Sequence, residues 1–269
     1  MADIPPASVV LMLVLSCWAV GTALFALLAR VRTPVQPGHF KVTWLVAAGL
    51  AAAAAGAAAA GSGFERRGML VLAAYSAACL VTFASVYRGA DIWVGAVTAA
   101  AGIPLLAWTT DTAQFASAAA TAEIVVENGS AYVEMAGRWA VAAVVSTAAL
   151  LLGSVTNSML LGHWHLNQPG LRTGPLRRLV WAVWGSIALF LMAAGLLVVN
   201  PRRGDVATLG AVTAIAFVGF TAVLAAMVHH LVRTRSIMSA TGILYLQVLL
   251  CFVASFTALL GVLDVQVPL

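Results

Sequence analysis

Eight apolar runs dominate this sequence, each near the length of about 20 residues that a helix needs to cross a hydrocarbon layer. They fall at 8–29, 42–62, 69–87, 91–108, 139–162, 179–199, 206–230 and 239–262, and none has an acidic or basic residue in its middle. Hydrocarbon offers no partner to peptide N–H and C=O groups, so such runs satisfy themselves as helices. Composition leaves little alternative. Apolar residues make up 62% of the chain and charged residues only 9%, against about a quarter charged in soluble domains. The mean hydropathy is +1.01. The expected fold class is therefore an all-α integral membrane protein of about eight transmembrane helices in a lipid bilayer.

The net charge of +5 does not call for nucleic acid, because the basic residues sit in short connections between apolar runs. There they set membrane orientation. With the N-terminus outside, Arg30, Arg32, Lys41, Arg88, Arg172, Arg177, Arg178, Arg233 and Arg235 fall on the inner side. Arg66, Arg67, Arg138, Arg202 and Arg203 fall on the outer side. The expectation is an N-out, C-out protein of a bacterial inner membrane. The opening MADIPPAS carries no basic stretch, so 8–29 is expected to be a first span and not a cleaved signal. Cys17, Cys79 and Cys251 lie inside apolar runs without metal-type or redox-type spacing. The alanine-rich second run, Ala51 to Ala60, permits close helix approach and is expected inside the bundle.

Between Thr109 and Arg138 the pattern breaks, with Asp111, Glu123, Glu127 and Glu134 facing one basic residue. The expected organisation is a first four-helix half over 1–108, an acidic extramembrane connector over 109–138, and a second four-helix half over 139–269. A short helix is expected from Thr112 to Ala120. Two markers recur in order. Gln36-Pro37-Gly38 follows the first run and Gln168-Pro169-Gly170 the fifth; Glu65-Arg66-Arg67-Gly68 follows the second and Pro201-Arg202-Arg203-Gly204 the sixth. A duplication with four spans between copies keeps their orientation, so the halves would be related by an axis along the membrane normal.

Chemistry points to the histidines. His39, His163, His165, His229 and His230 all fall on the inner side, two of them closing the fifth run and two the seventh. From Trp139 to His163 a helix rises roughly 36 Å, which places His163 near the edge of the hydrocarbon; His229 falls at a similar depth. One imidazole from each of two facing helices is the ligand pattern of b-type haem. Neighbouring residues on a helix point about 100° apart and next-neighbours about 200°. At most one of His163 and His165 and one of His229 and His230 would therefore share a site, with His163 and His229 as candidate haem-iron ligands. A zinc or copper site of three or four histidines is disfavoured by the same geometry. The other reading of these residues is interfacial anchoring, since histidine suits a helix C-terminus. A third makes them and Met159 and Met227 soft ligands of a metal transporter.

The remaining polar residues within spans are uncharged, among them Asn157, Thr156, Gln247, Tyr75 and Tyr245. The absence of a deep Asp, Glu, Lys or Arg argues against an ion-coupled pump. The lone lysine, Lys41, sits at a helix start and excludes a retinal Schiff base late in the chain. No HExxH, Walker A or GxSxG motif is present.

The layout of eight helices as four plus four resembles in outline the membrane subunits of quinone-linked respiratory complexes, such as the polysulfide-reductase membrane-subunit family, and haem A synthase. The resemblance lies in helix count, and the histidine-bearing spans here all belong to the second half. It implies a membrane subunit of a redox or respiratory system that holds a b-type haem or contacts a quinone near the inner face, with other membrane or redox subunits as partners. The competing expectation is a non-catalytic scaffold or small-molecule permease.

Overall fold

A computed structural model describes residues 7–32, 37–60, 66–121, 131–168, 170–199 and 205–264. Among these residues the regular structure is helical. The helices are α1 (Ala7–Arg32), α2 (Pro37–Ala60), α3 (Arg66–Ser85, continued by a 3-10 turn Val86–Arg88), α4 (Asp91–Thr121), α5 (Ala131–Asn167), α6 (Gly174–Val199), α7 (Asp205–Arg233) and α8 (Ile237–Asp264). Each contains a stretch long and apolar enough to cross a membrane. The protein is a multi-pass membrane protein with eight candidate spans.

The helices run past the apolar runs because polar ends need not stay in hydrocarbon. Pro37 opens α2, a place where its missing N–H costs nothing. The connector expected at 109–138 is largely helix: α4 runs on to Thr121 and α5 begins at Ala131. The short helix expected at Thr112 to Ala120 is thus the end of α4. Glu134 lies on α5, whereas Glu123 and Glu127 lie outside the described residues.

Many hydroxyls in the spans are satisfied inside their own helices. Ser16, Thr43, Thr147, Ser158, Thr221 and Thr241 each donate to the carbonyl four residues back, which removes the cost of an unbonded donor in lipid.

Packing follows chain order. α1 packs on α2 and α4, with α2 on α3 and α3 on α4; α5 packs on α6 and α8, with α6 on α7 and α7 on α8. The two rings of four join where α1 meets α5, flanked by α1 against α8 and α4 against α5. α1 and α5 bury roughly twice the share of their length that the other helices do, so they form the centre. Their crossing is a backbone contact. A side chain at Gly21 would overlap the carbonyl oxygen of Ala149, and one at Gly153 would overlap the backbone of Gly21. Small residues are what let membrane helices approach this closely. The crossing is then tied by Trp18 Nε1 donating to Thr156 Oγ1 (2.6 Å) and Asn157 Nδ2 donating to the Thr22 carbonyl (3.1 Å).

The alanine-rich α2 is not central. It buries one stripe (Trp44, Ala47, Ala48, Ala51, Ala54, Ala57, Ala58) and leaves Ala52, Ala53, Gly56, Ala59 and Ala60 exposed. The tightest glycine–glycine approach among the described residues is this one between α1 and α5, and alanine content does not mark the middle of the bundle.

Candidate functional site at the basic end

Successive helices alternate in direction. The C-termini of α1, α3, α5 and α7 and the N-termini of α2, α4, α6 and α8 therefore share one end, which carries all five histidines. Those histidines have different surroundings. His163 is exposed, its Nδ1 3.2 Å from the Tyr245 hydroxyl on α8. His165, two residues on, points the other way and is buried. Its Nδ1 meets the Leu161 carbonyl at 2.7 Å and its Nε2 the Arg172 carbonyl at 3.3 Å. His229 is half-buried against Trp181 of α6, ring centroids 5.0 Å apart. His230 is exposed.

The structure brings His165 not to an α7 histidine but within electrostatic reach of His39, which is buried at the start of α2. Trp164 covers Gly38 beside it. α5 and α7 stand diagonally in their ring, each packed on α6 and α8. No hydrogen bond or ring contact joins His163 or His165 to His229 or His230 among the described residues. Met159 is half-buried and Met227 exposed. Among the described residues no three of His, Cys, Asp and Glu gather where a metal could be held.

Two corners of this end contrast. Beside α1 and α4, Arg30 donates through Nε and Nη2 to both carboxylate oxygens of buried Asp91, and its guanidinium lies over the Phe40 ring at 5.2 Å. The ammonium of Lys41 sits 3.4 Å from the centre of the Tyr87 ring. Arg30 is thus paired and Lys41 covered by a ring, whereas Arg88 stays exposed and lines a cavity of about 500 Å³ with Phe83, Ser85 and Tyr87.

Beside α5, α6 and α8 the corner is open. A cavity of about 390 Å³ is lined by His165, Gln168, Arg172, Thr173, Arg235 and Ile237, with Gly170 and Leu171. Among the described residues no carboxylate lines it. The Gln168 Oε1 atom is buried without a hydrogen-bond partner. His165 has both ring nitrogens against carbonyl oxygens, so it holds the α5–α6 connection in place.

Arg235 reaches the cavity from an unusual backbone. α7 ends in a Schellman turn, with Ser236 N–H donating to the Leu231 carbonyl (2.9 Å) and Arg235 N–H to the Val232 carbonyl (3.4 Å). That turn puts Arg235 in the left-handed region, at φ 61°, where glycine is the usual occupant. The matching turn after α3 does use glycine: Gly89 at φ 71°, with Ala90 N–H donating to the Ser85 carbonyl.

No family model, curated protein or solved structure matches this chain. The function must be read from this geometry alone. Sequence reasoning named His39 among the histidines but paired it with nothing, and it did not pick out Gln168, Thr173, Arg172 or Arg235, because the arginines read as orientation signals. The one local clue was an arginine in a turn that wants glycine.

Proposed function

We propose that this chain is a binding protein or permease for a small polar molecule, built as two parallel-related four-helix halves in a bacterial inner membrane, with its basic end inside. The carrying observation is the cavity of about 390 Å³ among Gln168, Arg172, Thr173 and Arg235. It combines hydrogen-bonding groups and cations at the membrane edge, a small set of placed polar groups such as ligand pockets use.

The two-half reading draws support from the centre of the bundle. Gly21 and Gly153 are 132 positions apart, and so are Gln36-Pro37-Gly38 and Gln168-Pro169-Gly170. Residues equivalent under a two-fold axis touch one another where that axis passes, and these glycines do touch. The helix pairings repeat as well, 1–2–3–4 closing on itself as 5–6–7–8 does.

The test is occupancy. Native mass spectrometry of the protein purified from its membrane is expected to show a bound small molecule, and Thr173→Trp, which fills the cavity, is expected to expel it. A protein that carries nothing, or that keeps its ligand in the filled variant, would sink the reading.

A second reading keeps the redox assignment. It is favoured by α5 and α7 both ending in histidines on one side. There His163 or His165 with His229 or His230 would hold a b-type haem or contact a quinone. An absorption spectrum decides the haem form: a Soret band lost in His229→Ala supports it, and a spectrum without one removes it.

A further inference from the structure

We infer that the ligand of the basic-end cavity bears a phosphate group, held between the guanidiniums of Arg172 and Arg235. This inference rests on the binding reading above and narrows it to a chemical class.

Three features converge. First, the cations are a pair from separate connections. Arg172 comes from the α5–α6 connection and Arg235 from the α7–α8 connection, and both line one cavity. Guanidinium forks match phosphate oxygens in pairs, with short charge-assisted hydrogen bonds. Second, a neutral donor is at hand. Thr173, whose hydroxyl can donate to a phosphate oxygen, lines the same cavity; the unpartnered buried atom of Gln168 is its carbonyl oxygen Oε1, an acceptor for a hydroxyl on the rest of the ligand. The cavity also lies where α6 and α8 begin, at Gly174 and Ile237; helix N-termini offer unbonded N–H groups to anions. Third, no carboxylate competes. The one acidic residue that the sequence places at this end is Asp91, and Arg30 holds it in the opposite corner.

The backbone at Arg235 makes a positioning role specific. Arginine in a left-handed turn position is a disfavoured choice, and the corresponding turn after α3 uses Gly89. Strain retained at one residue points to its side chain, and Arg235 is one of the residues that line the cavity. The location at the membrane edge permits two sources of the phosphate: a phospholipid headgroup, or a free phosphate compound from the aqueous side. Basic pockets between helix ends take headgroups in this way.

The experiment uses the full chain in detergent and follows its thermal unfolding midpoint. The probes are inorganic phosphate, short-chain phosphatidylglycerol, short-chain phosphatidylcholine of equal chain length, and citrate as an anion without phosphorus. The expected result is a concentration-dependent rise with phosphate or with phosphatidylglycerol. Arg172→Ala and Arg235→Asn are each expected to weaken it about tenfold or more. Arg172→Lys and Arg235→Lys, which keep the charge, should weaken it less. Lys41→Ala, at the same end but outside the cavity, should leave it unchanged. A response to inorganic phosphate assigns a free phosphate compound. A response to phosphatidylglycerol alone, or to both phospholipids, assigns a headgroup. A response to citrate and not to phosphate that needs both arginines overturns the phosphate class and leaves the binding reading standing. A response to every anion that ignores Arg172 and Arg235 overturns the phosphate site. Silence from every probe, with a bound molecule still expelled by Thr173→Trp, overturns the phosphate inference alone; silence with no bound molecule overturns both.

Discussion

Arg235 illustrates how one residue can carry a cost that its own helix does not need. A non-glycine side chain in the left-handed region loses about 1–2 kcal/mol, and asparagine tolerates that conformation better. Arg235→Asn is therefore expected to leave the unfolding midpoint without ligand unchanged or slightly raised, while ligand binding falls; a clear loss of stability without ligand would mean that the arginine is structural. The Arg30–Asp91 pair makes an ordered prediction of the opposite kind. Asp91 is 1% exposed and Arg30 27%. Arg30→Ala strands a buried carboxylate, with an expected cost toward the lower end of the roughly 3–5 kcal/mol seen for broken buried pairs. Asp91→Ala should cost less, since Arg30 keeps some water and the Phe40 ring. Chemical unfolding of both variants checks the order. At this scale the sequence was legible only as residue types. That His163 and His165 point to different neighbours follows from their spacing of two. That His165 turns toward His39 depended on α2 lying beside α5, which no periodicity encodes.

Among the elements, the eight spans could be read directly, because hydrocarbon imposes one solution on a long apolar segment. Their neighbours could not. Lipid removes the amphipathic stripe that marks the buried face of a soluble helix, so α5 and α2 look alike in hydropathy although one is central and the other peripheral. The signal that separates them is steric. Gly21→Leu or Gly153→Leu is expected to push α1 from α5 and destabilise by about 1–3 kcal/mol or more. Gly49→Ala, where nothing lies within 4 Å, should be neutral or slightly stabilising. Melting curves of the three variants in one detergent make the comparison, and equal effects would remove the crossing from the account.

Across the whole molecule, charge is divided by end. By sequence, nine Lys and Arg and one carboxylate belong to the histidine end, and five Lys and Arg and eight carboxylates to the other. That division predicts that the histidine end is cytoplasmic. The native cysteines are buried, so Thr234→Cys introduces the accessible thiol among the described residues. A membrane-impermeant maleimide is expected to spare it in intact cells and label it in inverted vesicles; the reverse pattern would invert the orientation. The α1–α5 crossing also has a consequence in time. At about 5–20 residues per second, Gly153 leaves the ribosome on the order of ten seconds after Gly21. Through that interval the helix destined for the centre has only lipid, or an insertion factor, against its glycine face. A nascent chain stopped before α5 therefore presents its least finished surface to the membrane, and quality control would have its clearest mark to read there.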